Sequence, residues 1–268
     1  MCLLIFAHRV DSQLPLIVAA NRDEFHARPT AASHFWSDHP QLLAGRDLEL
    51  GGTWMGVTRG RSSPGGAVGG GRFAAVTNYR DPARTAPAPR SRGDLPLDFL
   101  TGTERPADYL QKLQRAADDF AGFNLLVGDC DELWYFANST QAAERQPQRL
   151  EPGIYGLSNA RLDTPWPKVE LGKQRLVELL ATGALDHDGL ASVVADPSLA
   201  EAGTLQQLGR DGEMDRLLSA QFIVTGSYGT RSTTTLWLDQ QGSGSWRESS
   251  FDARGQLTGQ REHPLALS

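Results

Sequence analysis

Two short apolar runs, Cys2 to Ala7 and Leu14 to Ala20, open the chain, separated by the polar interval His8-Arg9-Val10-Asp11-Ser12-Gln13. Their length and the polar break between them specify a buried β-hairpin that begins at the second residue. Four polar residues, Asn21-Arg22-Asp23-Glu24, follow directly at the end of the second run. Polar groups in that position need water or one another, because an unpaired buried polar group costs roughly 1–3 kcal/mol.

Further along, Gly51 to Val57 reads as a turn entering a third strand, and Arg72 to Asn78 as a fourth. Between them Arg59 to Gly71 is dense in Gly and Ser. It lacks phosphate-loop spacing, so it reads as a flexible hairpin loop. Tyr79 to Arg92 is a second irregular connection. Helical signals follow at Leu97 to Leu100 and Ala107 to Phe120, where Tyr109, Leu110, Leu113, Ala117 and Phe120 share a face. Strands return at Phe123 to Gly128 and Glu132 to Ala137, with Ile154 to Leu157 leading into Ser158-Asn159. Two more helices are expected over Lys168 to Ala181 and His187 to Ala195, the first after a rigid Pro-flanked start at Thr164 to Lys168. Gln221 to Thr225, Thr233 to Asp239 and Trp246 to Phe251 complete the strands. No repeat and no linker breaks residues 1–268, which read as one domain. The order of elements predicts an α+β protein, two sheets sandwiched between helical layers in an αββα arrangement.

A net charge of −6 over 268 residues argues against a nucleic-acid partner, which requires a basic face. Lys occurs only at Lys112, Lys168 and Lys173, the other basic residues being Arg; a GC-rich genome accounts for that more simply than anion binding does. Two cysteines, Cys2 and Cys130, are too few for a disulfide framework and fit a reducing compartment. No run reaches the ~18 apolar residues of a membrane span, and the start lacks the charge pattern of a signal peptide, so cytoplasmic residence is the expectation. The six histidines have no metal-ligand spacing, and neither a metal nor an obligatory cofactor is expected. Cys130, in the acidic turn Asp129-Cys130-Asp131, is expected to be inert.

Cys2 carries the sharpest chemistry. Trimming of Met1 leaves a thiol and a free α-amine on one residue, and a terminal amine with a pKa of about 7.7–8.0 can accept the thiol proton. The plain alternative is a small apolar residue opening a buried strand. Asp23 is suited to hold an α-ammonium, and Arg22 to lower the thiol pKa as a neighbouring cation. Neighbours in a regular strand point to opposite faces. If the strand runs on through the tetrad, Asn21 and Asp23 share one face while Arg22 and Glu24 share the other.

Met1-Cys2-Leu3-Leu4-Ile5-Phe6, Asn21-Arg22-Asp23-Glu24, Gly51-Gly52-Thr53-Trp54-Met55-Gly56, Asn78-Tyr79-Arg80, Gly122-Phe123-Asn124-Leu125-Leu126, Tyr155-Gly156-Leu157-Ser158-Asn159 and Tyr228-Gly229-Thr230-Arg231-Ser232 together resemble the signature blocks of the Asn-Arg-Asp-Glu (NRDE) family. That family includes the transport-and-Golgi-organisation proteins. The resemblance spans nearly the whole chain and implies an N-terminal-nucleophile hydrolase-like αββα fold. It also implies a role in lipid, acyl-CoA or haem homeostasis, with haem as cargo rather than cofactor. A more distant resemblance, to the choloylglycine hydrolase and penicillin acylase group, implies Cys2 as nucleophile, Arg22 and Asp23 beside it, Asn159 on the oxyanion side and Arg231 as a late site arginine. Asn78 is the weaker match to a second site Asn. In that group the Arg and Asp are separated by two residues, whereas here they are adjacent.

Two readings stand side by side. In one, the pocket binds and passes on haem or a fatty acyl-CoA. Arg22, Arg80 and Arg231 meet its anionic groups, and Asn21, Glu24, Trp54 and Asn78 line the site. In the other, Cys2 attacks an amide or thioester carbonyl, with Asn159 stabilising the oxyanion and Asp23 fixing the amine.

Overall fold

The structure is a computed structural model that describes residues 2–59, 61–62, 68–69, 71–80, 88–129, 131–139, 145–209 and 212–266. The first strands are β1 (Cys2–His8), β2 (Leu16–Phe25), β3 (Thr30–Phe35), β4 (Leu42–Asp47) and β5 (Met55–Thr58). A small pair, β6 (Arg61–Ser62) and β7 (Val68–Gly69), precedes β8 (Arg72–Asn78). Helices α1 (Asp94–Thr101) and α2 (Pro106–Ala116) lead to β9 (Phe123–Gly128), β10 (Leu133–Ala137), β11 (Gln148–Arg149) and β12 (Gly153–Leu157). Then come α3 (Pro167–Thr182), α4 (His187–Ser192), α5 (Ala202–Gln207) and α6 (Glu213–Leu217). The long strands β13 (Tyr228–Leu238), β14 (Ser243–Phe251) and β15 (Leu257–Ala266) end the described chain.

Two antiparallel sheets form from these strands. One has the order β12-β1-β2-β13-β14-β15, and the other β11-β10-β9-β8-β5-β4-β3. The opening hairpin is therefore flanked on both sides, by β12 and β13. Every residue of β1 is buried, and its two faces serve different layers. Leu3, Ile5 and Ala7 pack with Ile17 and Ala19 against Val169, Leu176 and Leu190 of α3 and α4. Leu4 and Phe6, with Val18 and Ala20, join Leu43, Met55, Val57, Phe73 and Leu126 of the other sheet in one apolar cluster. Cover on both faces is why the first two runs are continuously apolar rather than alternating. Each fully buried Leu, Ile or Phe contributes roughly 1.5–3 kcal/mol to holding the layers together.

Helix α1 packs on β5, β8 and β9, and α2 on β10, so the second sheet also carries helices. Helix α3 starts at Pro167, where a missing N–H costs nothing, and ends at Gly183 in the left-handed region with φ +66°. Its descent onto β1 depends on a missing side chain. A Cβ on Gly172 would stand 2.6 Å from Ile5 Cγ1.

The structure departs from the sequence expectations at particular elements. β3 and β4 form in a stretch, residues 30–47, for which no strand was expected. β15 runs almost wholly exposed with Pro264 in it, a polar edge strand with no apolar signature. Gln221 to Thr225 is not a strand; only the single bridge Val224 to Gly229 forms there. Cys130 and part of the Gly-rich loop lie outside the described residues.

Candidate functional site

In the hairpin register Cys2 lies opposite Arg22. β2 does not end before the polar tetrad. It runs through it to Phe25, so alternation holds and the four residues divide between two faces. Asn21 turns toward the helices. Its Nδ2 donates to the carbonyls of Val194 and Gln221, both at 2.8 Å, and its Oδ1 accepts from Thr233 Oγ1 at 2.7 Å. Asp23 turns the same way and its Oδ1 accepts from Thr230 Oγ1 at 2.8 Å. Arg22 turns between the sheets, where Nη1 donates to Thr30 Oγ1 at 3.3 Å.

A cleft of about 310 Å³ opens at this end of the sheets, bordered by Cys2, Arg22, Asp23, Glu24, Trp54, Asn78, Arg90 and Arg92 among others. Its cations are unequal. Arg28 is held by Asp47 at 2.6 Å and Glu49 at 3.2 Å, and Arg90 by Asp98 at 2.8 Å. Arg22 and Arg92 have only neutral partners among the described residues, the hydroxyl of Thr30 and the carbonyl of Gly122 at 3.2 Å. Burial lowers the pKa of Arg92, while Cys2 and Glu24 act to keep it charged. The loop bearing Arg92 lies against the turn before β5 because two glycines meet there. A Cβ on Gly52 would stand 2.5 Å from the carbonyl carbon of Gly93.

Burial pushes the Cys2 thiol up from its ordinary value. The Asp23 carboxylate adds to that rise, and Arg22 and the Asp23 backbone N–H favour the thiolate. Asp23 is itself raised by burial, with Lys168 among the charges that oppose the rise. Ser158 Oγ lies 3.1 Å from both the Cys2 carbonyl and Asn159 Oδ1. Asn159 is buried and its Nδ2 donates to the Asn78 carbonyl at 3.0 Å. Asn124 Nδ2 donates to Thr77 Oγ1 at 3.0 Å and to the Ala160 carbonyl at 2.9 Å. The separate sequence blocks thus interlock around the start of β1.

Not every candidate joins the cleft. The Arg231 guanidinium donates to the carbonyls of Phe25 (2.8 Å), Arg28 (3.1 Å) and His26 (3.3 Å), which ties down the turn after β2. Arg80 pairs with Asp215 and borders a separate pocket with Asn159. Two residues that motif reading passed over stand close to the chemistry. Arg92 sits in an irregular connection, with no periodicity to mark it. Lys168 sits in the first turn of α3, where a lysine reads as an ordinary surface residue. Among the described residues no group of three His, Cys, Asp or Glu is placed to hold a metal, and no helix is long and apolar enough to cross a membrane.

The sequence profile of the family described as Transport and Golgi organisation 2 matches residues 1–253. The chain belongs to that family. It is similar to the Transport and Golgi organization protein 2 homolog of Bos taurus, 37% identical over 253 residues that cover 88% of this chain and 86% of the relative. The human homolog is 35% identical over the same shares of the two chains. The Drosophila melanogaster protein of that name is 27% identical over 190 residues, 65% of this chain and 63% of its own. The matched span takes in every residue that borders the Cys2 cleft, Arg92 included.

Proposed function

We propose that this Transport and Golgi organisation 2 family member binds and passes on an anionic, partly apolar small molecule of the haem or fatty acyl-CoA class. The observation that carries the reading is the pair Arg22 and Arg92, two cations bordering one cleft with no carboxylate partner among the described residues. A guanidinium removed from water with no carboxylate in direct contact favours an incoming carboxylate or phosphate, for which its fork of donors is suited. Trp54, Leu50 and Val76, which border the same cleft, offer apolar contact to the remainder of such a ligand. In this reading the two sheets and their helices form the four-layer αββα arrangement of the N-terminal-nucleophile hydrolases, its pocket kept for carriage. The ligand is cargo, and a free Cys2 thiol suits a reducing compartment such as the cytoplasm.

One observation favours hydrolysis as a second reading. Cys2 borders the cleft, where the Arg22 charge and the Asp23 backbone N–H act in favour of its thiolate. Against it, burial keeps the proton on the thiol, and the thiolate is the nucleophile.

A paired assay separates the two, with haem and palmitoyl-CoA as ligands and palmitoyl-CoA hydrolysis as the turnover readout. Under the carrier reading Arg92→Ala weakens binding by roughly 1.5–3 kcal/mol, the scale of a charged hydrogen bond, and Cys2→Ala by less than about 1 kcal/mol. Arg92 is the better probe than Arg22, because Arg22 is also a cation near the buried Glu248 and its loss would disturb the core. Hydrolysis by the wild type that vanishes in Cys2→Ala while binding persists would establish the enzyme instead. Binding of both ligands unchanged in Arg92→Ala would end the carrier reading.

A further inference from the structure

Glu248 lies in the middle of β14 and is only 3% exposed. The strand register sets it between the two sheets. Glu248 stands opposite Thr234 of β13, and Thr234 opposite Ala20 of β2, a member of the inter-sheet cluster two residues before Arg22. Side chains two apart on a strand share a face, so Glu248 and Arg22 rise from the same side of the sheet. Both reach the same strand of the other sheet. Arg22 Nη1 meets Thr30 Oγ1 at 3.3 Å, and the Ser33 backbone N–H donates to Glu248 Oε1 at 2.7 Å. The carboxylate also approaches the cleft wall. A Cβ on Gly45 would stand 3.5 Å from Glu248 Oε2 and 3.7 Å from Nε1 of Trp54, which borders the cleft. Thr234, directly opposite, has a buried hydroxyl with no hydrogen-bond partner among the described residues. A protonated carboxyl needs an acceptor for its new donor, and that hydroxyl can serve.

We propose that Glu248 is the resident counter-charge of Arg22, and that an anion entering the cleft takes over this role while Glu248 binds a proton from solvent. The inference rests on the carrier reading and adds its regulation, an affinity that rises as pH falls. Two carboxylates around one guanidinium repel each other, and a buried setting screens that repulsion weakly. Protonating the buried one removes it. Burial already raises the Glu248 pKa, against the Ser33 N–H and the charges of Arg22 and of Arg261, its neighbour on β15. A ligand anion at Arg22 raises it further, so between the free and bound values binding takes up a proton. Affinity is highest below that interval and lowest above it. Two further carboxylates near Arg22 are engaged elsewhere, Asp47 with Arg28 and Asp23 with Thr230 toward the helices. His263 Nε2 and Arg261 Nη1 both lie 3.3 Å from the Ser33 carbonyl oxygen, so His263 is a second titratable group at this spot.

The probe is palmitoyl-CoA. The Glu248 carboxyl is followed by carbon-13 NMR in free and saturated wild type, and Kd is measured from about pH 5.5 to 8 for wild type, Glu248→Gln and Glu262→Gln. Glu262 pairs with Arg247 on the opposite face of the same sheet. The Glu248 titration moves to higher pH in the bound protein. Glu248→Gln, fixed in the neutral form, binds about tenfold more tightly than wild type at pH 8, the scale of one screened charge pair. The two converge as pH falls, and Glu262→Gln follows wild type throughout. Dividing the two Kd values at each pH cancels the titration of the ligand's phosphates and of His263. The NMR measurement uses wild type alone and decides without the variant. A Glu248 titration unmoved by bound ligand, or a Kd ratio that is constant across pH or favours wild type at pH 8, overturns the inference and leaves the carrier reading standing. Absence of wild-type binding overturns the carrier reading, and this inference with it.

Discussion

At the level of single residues, the charges at this end of the molecule differ in what opposes them. Lys168 is buried with a folded pKa of about 8, below the 10.5 of an ordinary lysine. Between those two values the unfolded chain binds the extra proton, so stability rises with pH across that window. Below about pH 8 the whole cost of the buried charge is present, about 3 kcal/mol for a shift of this size. Lys168→Met is therefore expected to stabilise the protein at pH 7, with the advantage shrinking toward pH 10. Urea denaturation of both proteins across that range checks it, and a Met variant less stable than wild type at neutral pH would contradict it. Cys2, Arg22 and Asp23 were legible in the sequence, because a polar tetrad directly after a buried apolar run needs an explanation. Arg92 and Lys168 were not, since an arginine in a loop and a lysine at a helix start have many uses and no local signature.

Among the elements, α4 is held to the sheet by the buried Leu190 and by a histidine. The His187 ring shares hydrogen bonds with Thr235 Oγ1 at 2.7 Å and Ser245 Oγ at 2.8 Å, and lies tilted against Trp237 with ring centres 4.3 Å apart. Burial first, then the charge of Arg247, lowers its pKa from 6.5 to about 4. The unfolded chain takes up a proton that the folded one refuses, so this contact loses stability as pH falls from about 6.5 toward 4. His187→Gln keeps polar atoms but cannot titrate. Its unfolding free energy should vary less over that interval than wild type, and parallel curves would refute the assignment. Sequence reading recovered the elements with strong periodicity or buried runs, such as β1, β2, β9, α2 and α3. It lost β15, whose exposed face gives no alternation, and the short β3 and β4, whose Thr, Ser, His, Gly and Arg residues dilute the apolar signal. Pairing with neighbours, which no local pattern records, makes strands of those segments.

For the molecule as a whole, the cleft lies where the start of β1, the end of β2, the turn before β5 and the loop ahead of α1 converge. A ligand there touches both sheets, and binding to the folded state alone stabilises by mass action, about 2.7 kcal/mol at a hundredfold excess over Kd. Palmitoyl-CoA at such an excess should therefore raise the Tm of wild type and raise that of Arg92→Ala distinctly less. A flat melting curve for wild type at saturating ligand would count against the cleft as its binding site. The two-sheet plan followed from the order of apolar runs and helical stretches. The cleft did not, because its walls come from segments far apart in the chain.

Strand β2 passes through the wall between two compartments, delivering Arg22 to one and Asp23 to the other within a single residue step. That makes the strand's reading frame a shared constraint. A one-residue deletion between Leu16 and Asn21 would exchange the two faces, placing a carboxylate between the sheets and a guanidinium beneath the helices. Neither compartment can be retuned by sliding the strand without inverting the other. Change at this end of the molecule must come by substitution, or by altering the loop that brings Arg92 and the helix start that brings Lys168, which are tied to no such frame.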